Sequence, residues 1–201
     1  MNLKNYYWYF EKALSQDFCN KIIKEGFKKK QELGSIINKD NKEEESKELR
    51  NSNIVWLNNK WIYEKIHPYI NTANVNAGWN FEWDWSESAQ FTIYNKNQHY
   101  DWHCDTFDTP YDYPNNLNTH NKIRKLSVTI SLSDPKEYEG GELEFDFRNS
   151  RDGKPNLKTC TEILPKGSLV VFPSFVYHRV KPVTKGTRLS LVIWNLGYPF
   201  K

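Results

Sequence analysis

Apolar positions in the first third of the chain recur at helical spacing, whereas beyond residue 78 they alternate or bunch into short runs, so helices come first and strands follow. Asp17 followed by FCNKIIKEGFKKKQEL predicts a packing helix, because Asp is a good N-cap and Phe18, Ile22, Ile23 and Phe27 fall near one face. Arg50 to Leu57 predicts a short strand, and Trp61 to Ile70 a second helix broken near Pro68. After Gly78, the segments SAQFTIYN, RKLSVTISL, ELEFDF, SLVVFP and TRLSLVIWNL read as strands set off by Gly, Pro, Asn and Asp clusters. Helices that precede strands instead of alternating with them argue against a parallel doubly wound sheet. The expected fold is mainly β with flanking N-terminal helices: a double-stranded β-helix of the jelly-roll or cupin-like kind.

Between these elements, Asn38 to Arg50 (NKDNKEEESKELR) is charged with almost no apolar anchor, the pattern of a solvated loop or a lid. Gly140-Gly141 is a pair suited to positive φ in a tight turn, and Pro165-Lys166-Gly167 predicts a type II-like turn launching SLVVFP.

Composition adjusts this picture little. A chain of 201 residues fits one domain with a real core, and with 8 Trp, 12 Tyr and 11 Phe much of the burial must come from rings. The net charge of +3 arises from intermixed acids and bases, too weak a field to predict binding to a phosphate backbone, so nucleic acid is not the expected partner. Cys19, Cys104 and Cys160 are odd in number and far apart, offering neither a disulfide framework nor a C-x-x-C clamp, which fits a reducing cytoplasm. No apolar run has the length of a signal-peptide core or a membrane span, so neither is expected.

The chemistry concentrates in Tyr100-Asp101-Trp102-His103-Cys104-Asp105. In an extended chain residues i and i+2 share a face, so His103 and Asp105 can offer an imidazole nitrogen and a carboxylate oxygen to one ion while Cys104 points away. An H-x-D pair alone occurs by chance on surfaces, but His178, in PSFVYHRV, supplies a third donor. Two imidazoles and one carboxylate leave adjacent coordination positions open, an arrangement for catalysis rather than structure. His67 beside Pro68, His99 in a polar loop and His120 in an Asn-rich stretch have weaker claims and stay outside this set. Ten residues after His178 comes Arg188, in GTRLSLVIW, where strand parity puts Arg188, Ser190, Val192 and Trp194 opposite Leu189, Leu191 and Ile193. A guanidinium offers two parallel N–H donors to a carboxylate, and a hydroxyl two residues on adds a third.

FTIYNKNQHYDWHCD, KLSVTISLSDPKEYEGGELEF and PKGSLVVFPSFVYHRVKPVTKGTRLSLVIW, in that order and spacing, resemble the Fe(II)/2-oxoglutarate dioxygenase superfamily, more narrowly its prolyl 4-hydroxylase-like branch of bacteria and phages. The likeness runs from Ser88 to Gly197. It implies that His103, Asp105 and His178 bind Fe(II), that Arg188 grips the distal carboxylate of 2-oxoglutarate with help from Ser190, and that Tyr94 bonds the same carboxylate. Decarboxylation of 2-oxoglutarate to succinate would then be coupled to hydroxylation of a substrate C–H bond, with ascorbate as a reductant, in the cytoplasm, or the host cytoplasm for a phage protein. Residues 1–201 would form a single domain, 1–78 giving supporting helices and an edge strand and 79–201 the catalytic β-helix. Trp102, Trp194 and Tyr177 are candidates to line the pocket.

Retention of Asp105 disfavours the related halogenases. An AlkB-type nucleic-acid demethylase is weakened because Trp194 stands where that group places a second arginine. A non-catalytic jelly-roll binding module is the remaining alternative. The prime substrate stays open among a prolyl residue in a peptide or protein, another side chain, a free amino acid and a small metabolite; so does the oligomeric state.

Overall fold

Alternation along the strands builds two main antiparallel sheets, beside two two-stranded ones, in the computed structural model, which describes residues 5–37, 43–148 and 153–200. Among those residues the larger sheet has eight strands. In spatial order, seven are Trp8–Phe10, Leu169–Pro173, Ile123–Ser131, Arg188–Gly197, Ala89–Tyr94, Asn53–Leu57 and Glu32–Leu33, with Trp85–Ser86 added against Arg188–Gly197. The smaller sheet runs Leu157–Thr159, Leu143–Asp146, Tyr177–Val180, His99–His103 and Arg50–Asn51. This is the mainly β, jelly-roll architecture expected from the sequence, and each of the five β-rich segments contributes a strand to it.

Each central strand of the larger sheet turns alternate residues to opposite layers. Phe91 and Ile93, Leu126, Val128 and Ile130, and Leu191 and Ile193 face the helices, where Ile22 of α1 (Gln16–Phe27) and Ile62, Ile66 and Ile70 of α2 (Lys60–Asn76) are wholly buried against them. Burial of side chains this size stabilises by roughly 2 kcal/mol each. The alternate residues, Tyr94, Val170 and Phe172, meet Leu143, Phe145 and Val180 of the smaller sheet in a second cluster. That inner layer also carries the polar set Gln90, Thr92, Ser127, Arg188 and Ser190, all buried.

Local details differ from the sequence reading for identifiable reasons. Helix α1 is capped by Ser15, whose hydroxyl accepts from the Phe18 N–H at 3.2 Å, while Asp17 lies inside the first turn, favourable to the helix dipole. It stops at Phe27 rather than running to Leu33, because Glu32–Leu33 pairs with Asn53–Leu57 and sheet pairing overrides the helical pattern. Helix α2 passes through Pro68 instead of breaking there; the proline lies on the exposed side, where water can satisfy the carbonyl it leaves unpaired. Of the charged segment Asn38 to Arg50, residues 38–42 lie outside the described residues, whereas Glu43–Glu44 pairs with Ile36–Ile37 and Arg50 is buried. The turns are as expected: Gly140 and Gly141 take φ of 75° and 66°, and Gly167, at φ 85°, closes a turn in which the Ser168 N–H reaches the Pro165 carbonyl at 3.0 Å. No helix among the described residues is long and apolar enough to cross a membrane.

Candidate metal centre and adjoining cavity

His103 closes the strand His99–His103, and in the antiparallel register of the smaller sheet it stands opposite His178. Asp105 follows two residues later, anchored by its N–H to the Ser174 carbonyl at 2.8 Å. One ligand atom from each of the three lies within 4.8 Å of the others, and among the described residues no second cluster of this kind occurs. His103 Nε2 is 3.8 Å from Asp105 Oδ1, and His178 Nε2 is 3.6 Å from Oδ2.

Hydrogen bonding fixes which nitrogens face inward. His103 Nδ1 meets the Asp101 carbonyl at 2.7 Å and His178 Nδ1 the Val176 carbonyl at 2.9 Å. A carbonyl only accepts, so each Nδ1 carries the hydrogen and each Nε2 keeps its lone pair for a cation. Burial first, and the neighbouring His178 second, push the His103 pKa down to about 3, so its ring is neutral at neutral pH. Burial alone would raise the Asp105 pKa, yet His178, His103, Arg124 and the Ser127 hydroxyl, 2.7 Å from Oδ2, together hold it below the ordinary carboxylate value. Two imidazole nitrogens and a carboxylate converging on one point are a donor set that fits iron. Cys104 turns its Sγ to the Thr106 carbonyl at 3.6 Å, away from this set. His67 bonds Ser86, His99 the Glu48 carbonyl, and His120 faces Asp112; none joins the cluster.

Arg188 and Ser190 lie on the inner face, paired in register with Tyr94 and Thr92. The guanidinium is buried, donates from Nη1 to Ser190 Oγ at 3.2 Å and sits 5.5 Å from the Tyr94 ring centroid. Among the described residues no carboxylate forms an ion pair with it. Gly141 makes room for this side chain, since a Cβ there would lie 2.9 Å from Arg188 Cδ.

Beside the candidate metal centre opens a cavity of about 210 Å³, lined by His103, Asp105, Tyr100, Trp102, Arg50, Gln90, Arg124 and Trp194 among others. With water taking roughly 30 Å³, that space suits one residue-sized group. Trp102 and Trp194 therefore line the pocket as expected, whereas Tyr177 is exposed on a separate groove with Tyr6 and Phe147. Tyr100 stacks on the His103 ring, centroids 3.5 Å apart, and holds it in plane. Arg124 lies 3.9 Å from the Trp194 centroid and is neutralised by Glu87 through Nε at 2.7 Å and Nη2 at 2.5 Å. Sequence reasoning missed Arg124 because simple alternation puts it with Leu126 and Val128 on the helix side. A bulge between Arg124 and Leu126 shifts the register and turns it inward. Tyr100, by contrast, was within reach, three residues before His103 in the same motif.

Residues 89–195, just over half the chain, match the family model of the 2OG-Fe(II) oxygenase superfamily. The chain belongs to this superfamily. Its Fe(II) and 2-oxoglutarate are thereby implied, and the His103, Asp105 and His178 donors fit the iron. A PKHD-type hydroxylase of Pseudoalteromonas atlantica is 35% identical over 106 residues, 52% of this chain and 41% of that relative. The PKHD-type hydroxylase YbiX of Escherichia coli O157:H7 is 36% identical over 104 residues, 52% and 40% of the two chains. The chain thus spans about two fifths of the length of these curated relatives. Among solved structures, the viral collagen prolyl hydroxylase of Paramecium Bursaria Chlorella virus-1, a 2OG complex, superposes with TM-score 0.65 at 21% identity, covering 96% of this chain and 97% of that one. The Trichoplax adhaerens prolyl hydroxylase bound to a hypoxia inducible factor peptide gives TM-score 0.70 at 15% identity, covering 96% and 84%. Similarity at these identities establishes the shared fold.

Proposed function

We propose that the chain is a 2-oxoglutarate-dependent hydroxylase in which His103, Asp105 and His178 hold Fe(II) and Arg188 holds the distal carboxylate of 2-oxoglutarate. The observation that carries this reading is the pairing of two Nε2 atoms and a carboxylate, turned to one point, with a buried guanidinium that has no carboxylate partner among the described residues. When bound, the iron supplies dioxygen activation and couples cosubstrate decarboxylation to C–H hydroxylation. The protein's own work is positioning. The Asp101 and Val176 carbonyls hold the imidazole tautomers, and Ser127 orients the Asp105 carboxylate. Ser190 aligns Arg188, and Tyr94 flanks it from the paired strand. The Trp194 and Arg124 stack walls one side of the cavity.

The proposed substrate is a prolyl or other amino-acid residue in a peptide, in keeping with the names of the relatives. Ascorbate is the proposed reductant and the cytoplasm the proposed compartment, where the free thiols Cys19, Cys104 and Cys160 would persist. The test is succinate release with Fe(II) and 2-oxoglutarate over a panel of proline-containing peptides, free amino acids and oligonucleotides. Stimulation by a peptide or amino acid is expected. Absence of both 2-oxoglutarate binding and turnover in iron-loaded protein would overturn the reading, and stimulation confined to oligonucleotides would move it to a nucleic-acid demethylase.

A further inference from the structure

Arg50 is another buried cation that forms no ion pair among the described residues. It is only 6% exposed, and its Nε and Nη1 donate to neutral acceptors, Ser52 Oγ at 3.1 Å and the Ser35 carbonyl at 2.7 Å. Nη2 has no partner. No carboxylate of the described residues forms an ion pair with it, and the Tyr100 ring, 4.7 Å from Cζ, offsets only part of the cost of burying the charge. The position is built rather than incidental: a Cβ on Gly34 would fall 2.6 Å from Arg50 Nε and 2.9 Å from Cζ, so glycine there is what lets the guanidinium lie where it does.

Arg50 lines the same cavity as Trp194, whose indole Nε1 is likewise buried without a partner. The cavity's other guanidinium, Arg124, is already neutralised by Glu87, and the Gln90 amide is bonded to Thr92 Oγ1 at 2.9 Å. The carboxylates that line the cavity, Asp101 and Asp105, form no ion pair with Arg50, so what this guanidinium lacks is an acceptor that brings negative charge, and a planar carboxylate matches its fork. Given the reading above, 2-oxoglutarate is answered by Arg188, so the missing anion is assigned to the other reactant.

We infer that Arg50, with Trp194 on the same cavity wall, receives a carboxylate carried by the prime substrate. The inference rests on the proposed hydroxylase reading and makes Arg50 a specificity-determining residue for it. Such a carboxylate has three sources: a free amino acid, a peptide C-terminus, or an acidic side chain beside the residue hydroxylated.

The experiment uses full-length protein loaded with Mn(II) and saturating 2-oxoglutarate, so that binding is read without turnover. Calorimetry compares three matched pairs: free L-amino acids against their carboxamides, N-acetyl Gly-Pro-Gly against its C-terminal amide, and C-terminally amidated peptides with Asp or Asn next to proline. The acid of at least one pair is expected to bind about tenfold or more tighter than its neutral partner, and the pair that does so identifies the source. Arg50→Gln should bring that ratio to about one, and Arg50→Lys, which keeps the charge but loses the fork, should retain part of it. Gly34→Ala, which displaces the guanidinium with its charge intact, should also lower it. Affinity for 2-oxoglutarate, read by tryptophan quenching, should stay unchanged in all three variants, which also reports that each is folded.

Equal binding of acid and neutral forms throughout the panel overturns the inference, as does a preference that survives Arg50→Gln. A loss of 2-oxoglutarate affinity in Arg50→Gln overturns it too, by assigning Arg50 to the cosubstrate. Failure of the wild-type protein to bind Mn(II) or 2-oxoglutarate would instead strike the hydroxylase reading itself, so the two failures are separable.

Discussion

His103 and His178 stand opposite one another across the smaller sheet, and each ties its Nδ1 to the carbonyl two residues earlier, Asp101 at 2.7 Å and Val176 at 2.9 Å. The same local bond, repeated on two antiparallel strands, sets both tautomers alike and brings both Nε2 lone pairs to the same side. Register and backbone thus do for the imidazoles what a conserved carboxylate does in many metal sites. Asp105 alone depends on a side chain from elsewhere.

That side chain is Ser127, which donates to Asp105 Oδ2 at 2.7 Å and lies 2.9 Å from Ser174 Oγ. Ser127→Ala should lower metal affinity by about ten- to a hundredfold, the usual effect of losing a group that orients a ligand. Competitive metal titration checks it, with circular dichroism to confirm an intact fold. Unchanged affinity would mean that the Asp105 backbone anchor to Ser174 is sufficient.

Arg188→Ala should weaken 2-oxoglutarate binding roughly tenfold to a hundredfold, since a hydrogen bond to a charged group contributes about 1.5–3 kcal/mol. Metal content should not change. Gly141→Ala is the geometric counterpart: its Cβ would meet Arg188 Cδ at 2.9 Å and its φ of 66° disfavours alanine, so cosubstrate affinity should fall with the charge still present. Equal 2-oxoglutarate affinity in Arg188→Ala and wild type would remove Arg188 from the site.

The strands and the donor triad were legible because both obey a period of two: alternation names the buried face, and H-x-D places two ligands on one side. Arg188 and Ser190 were legible by the same parity. What escaped were places where parity fails or partners lie far away in sequence. The bulge at Arg124 reverses its face, Arg50 acquires its surroundings only when Arg50–Asn51 joins the edge of the smaller sheet, and Glu87 meets Arg124 from 37 residues away. Helix ends were misplaced for a different reason. Ser15 and Asp17 are both good caps, and Pro68 breaks a helix only when its neighbours cannot compensate.

Pro68 accordingly marks a site where stability can be gained. It is exposed within α2, leaves the preceding-turn carbonyl of Glu64 without its helical donor, and its own carbonyl accepts from Thr72 Oγ1 at 2.8 Å. Pro68→Ala should restore one helical hydrogen bond and raise stability by about 1–2 kcal/mol, after the greater freedom of the unfolded chain is deducted. Urea unfolding checks this. A loss of stability would show that the ring itself packs or that its fixed φ helps the fold more than the missing bond harms it.

The buried imidazoles impose a pH dependence whose sign follows from their environment. Burial lowers the His67 pKa, and burial followed by the nearness of His178 takes His103 to about 3, both from an ordinary value of 6.5. In the unfolded chain these rings take up protons as pH falls through about 6.5, while in the folded protein they stay neutral until lower pH. The unfolded state therefore binds more protons across this window, and stability is lost as pH falls, by at most about 1.4 kcal/mol per pH unit for each ring. Between pH 6.5 and 5 most carboxylates are still ionised in both states, so the histidines carry most of the slope there, with Asp105, Glu144 and the other carboxylates held below their ordinary values adding to it toward pH 5. Metal-free protein should show a falling urea midpoint over that interval. His67→Gln keeps a donor toward Ser86 Oγ, which His67 Nε2 meets at 3.0 Å, and should make the decline shallower without altering metal affinity at pH 7.5. A midpoint that is flat from pH 6.5 to 5 would show that both rings accept protons within the folded chain as readily as in water.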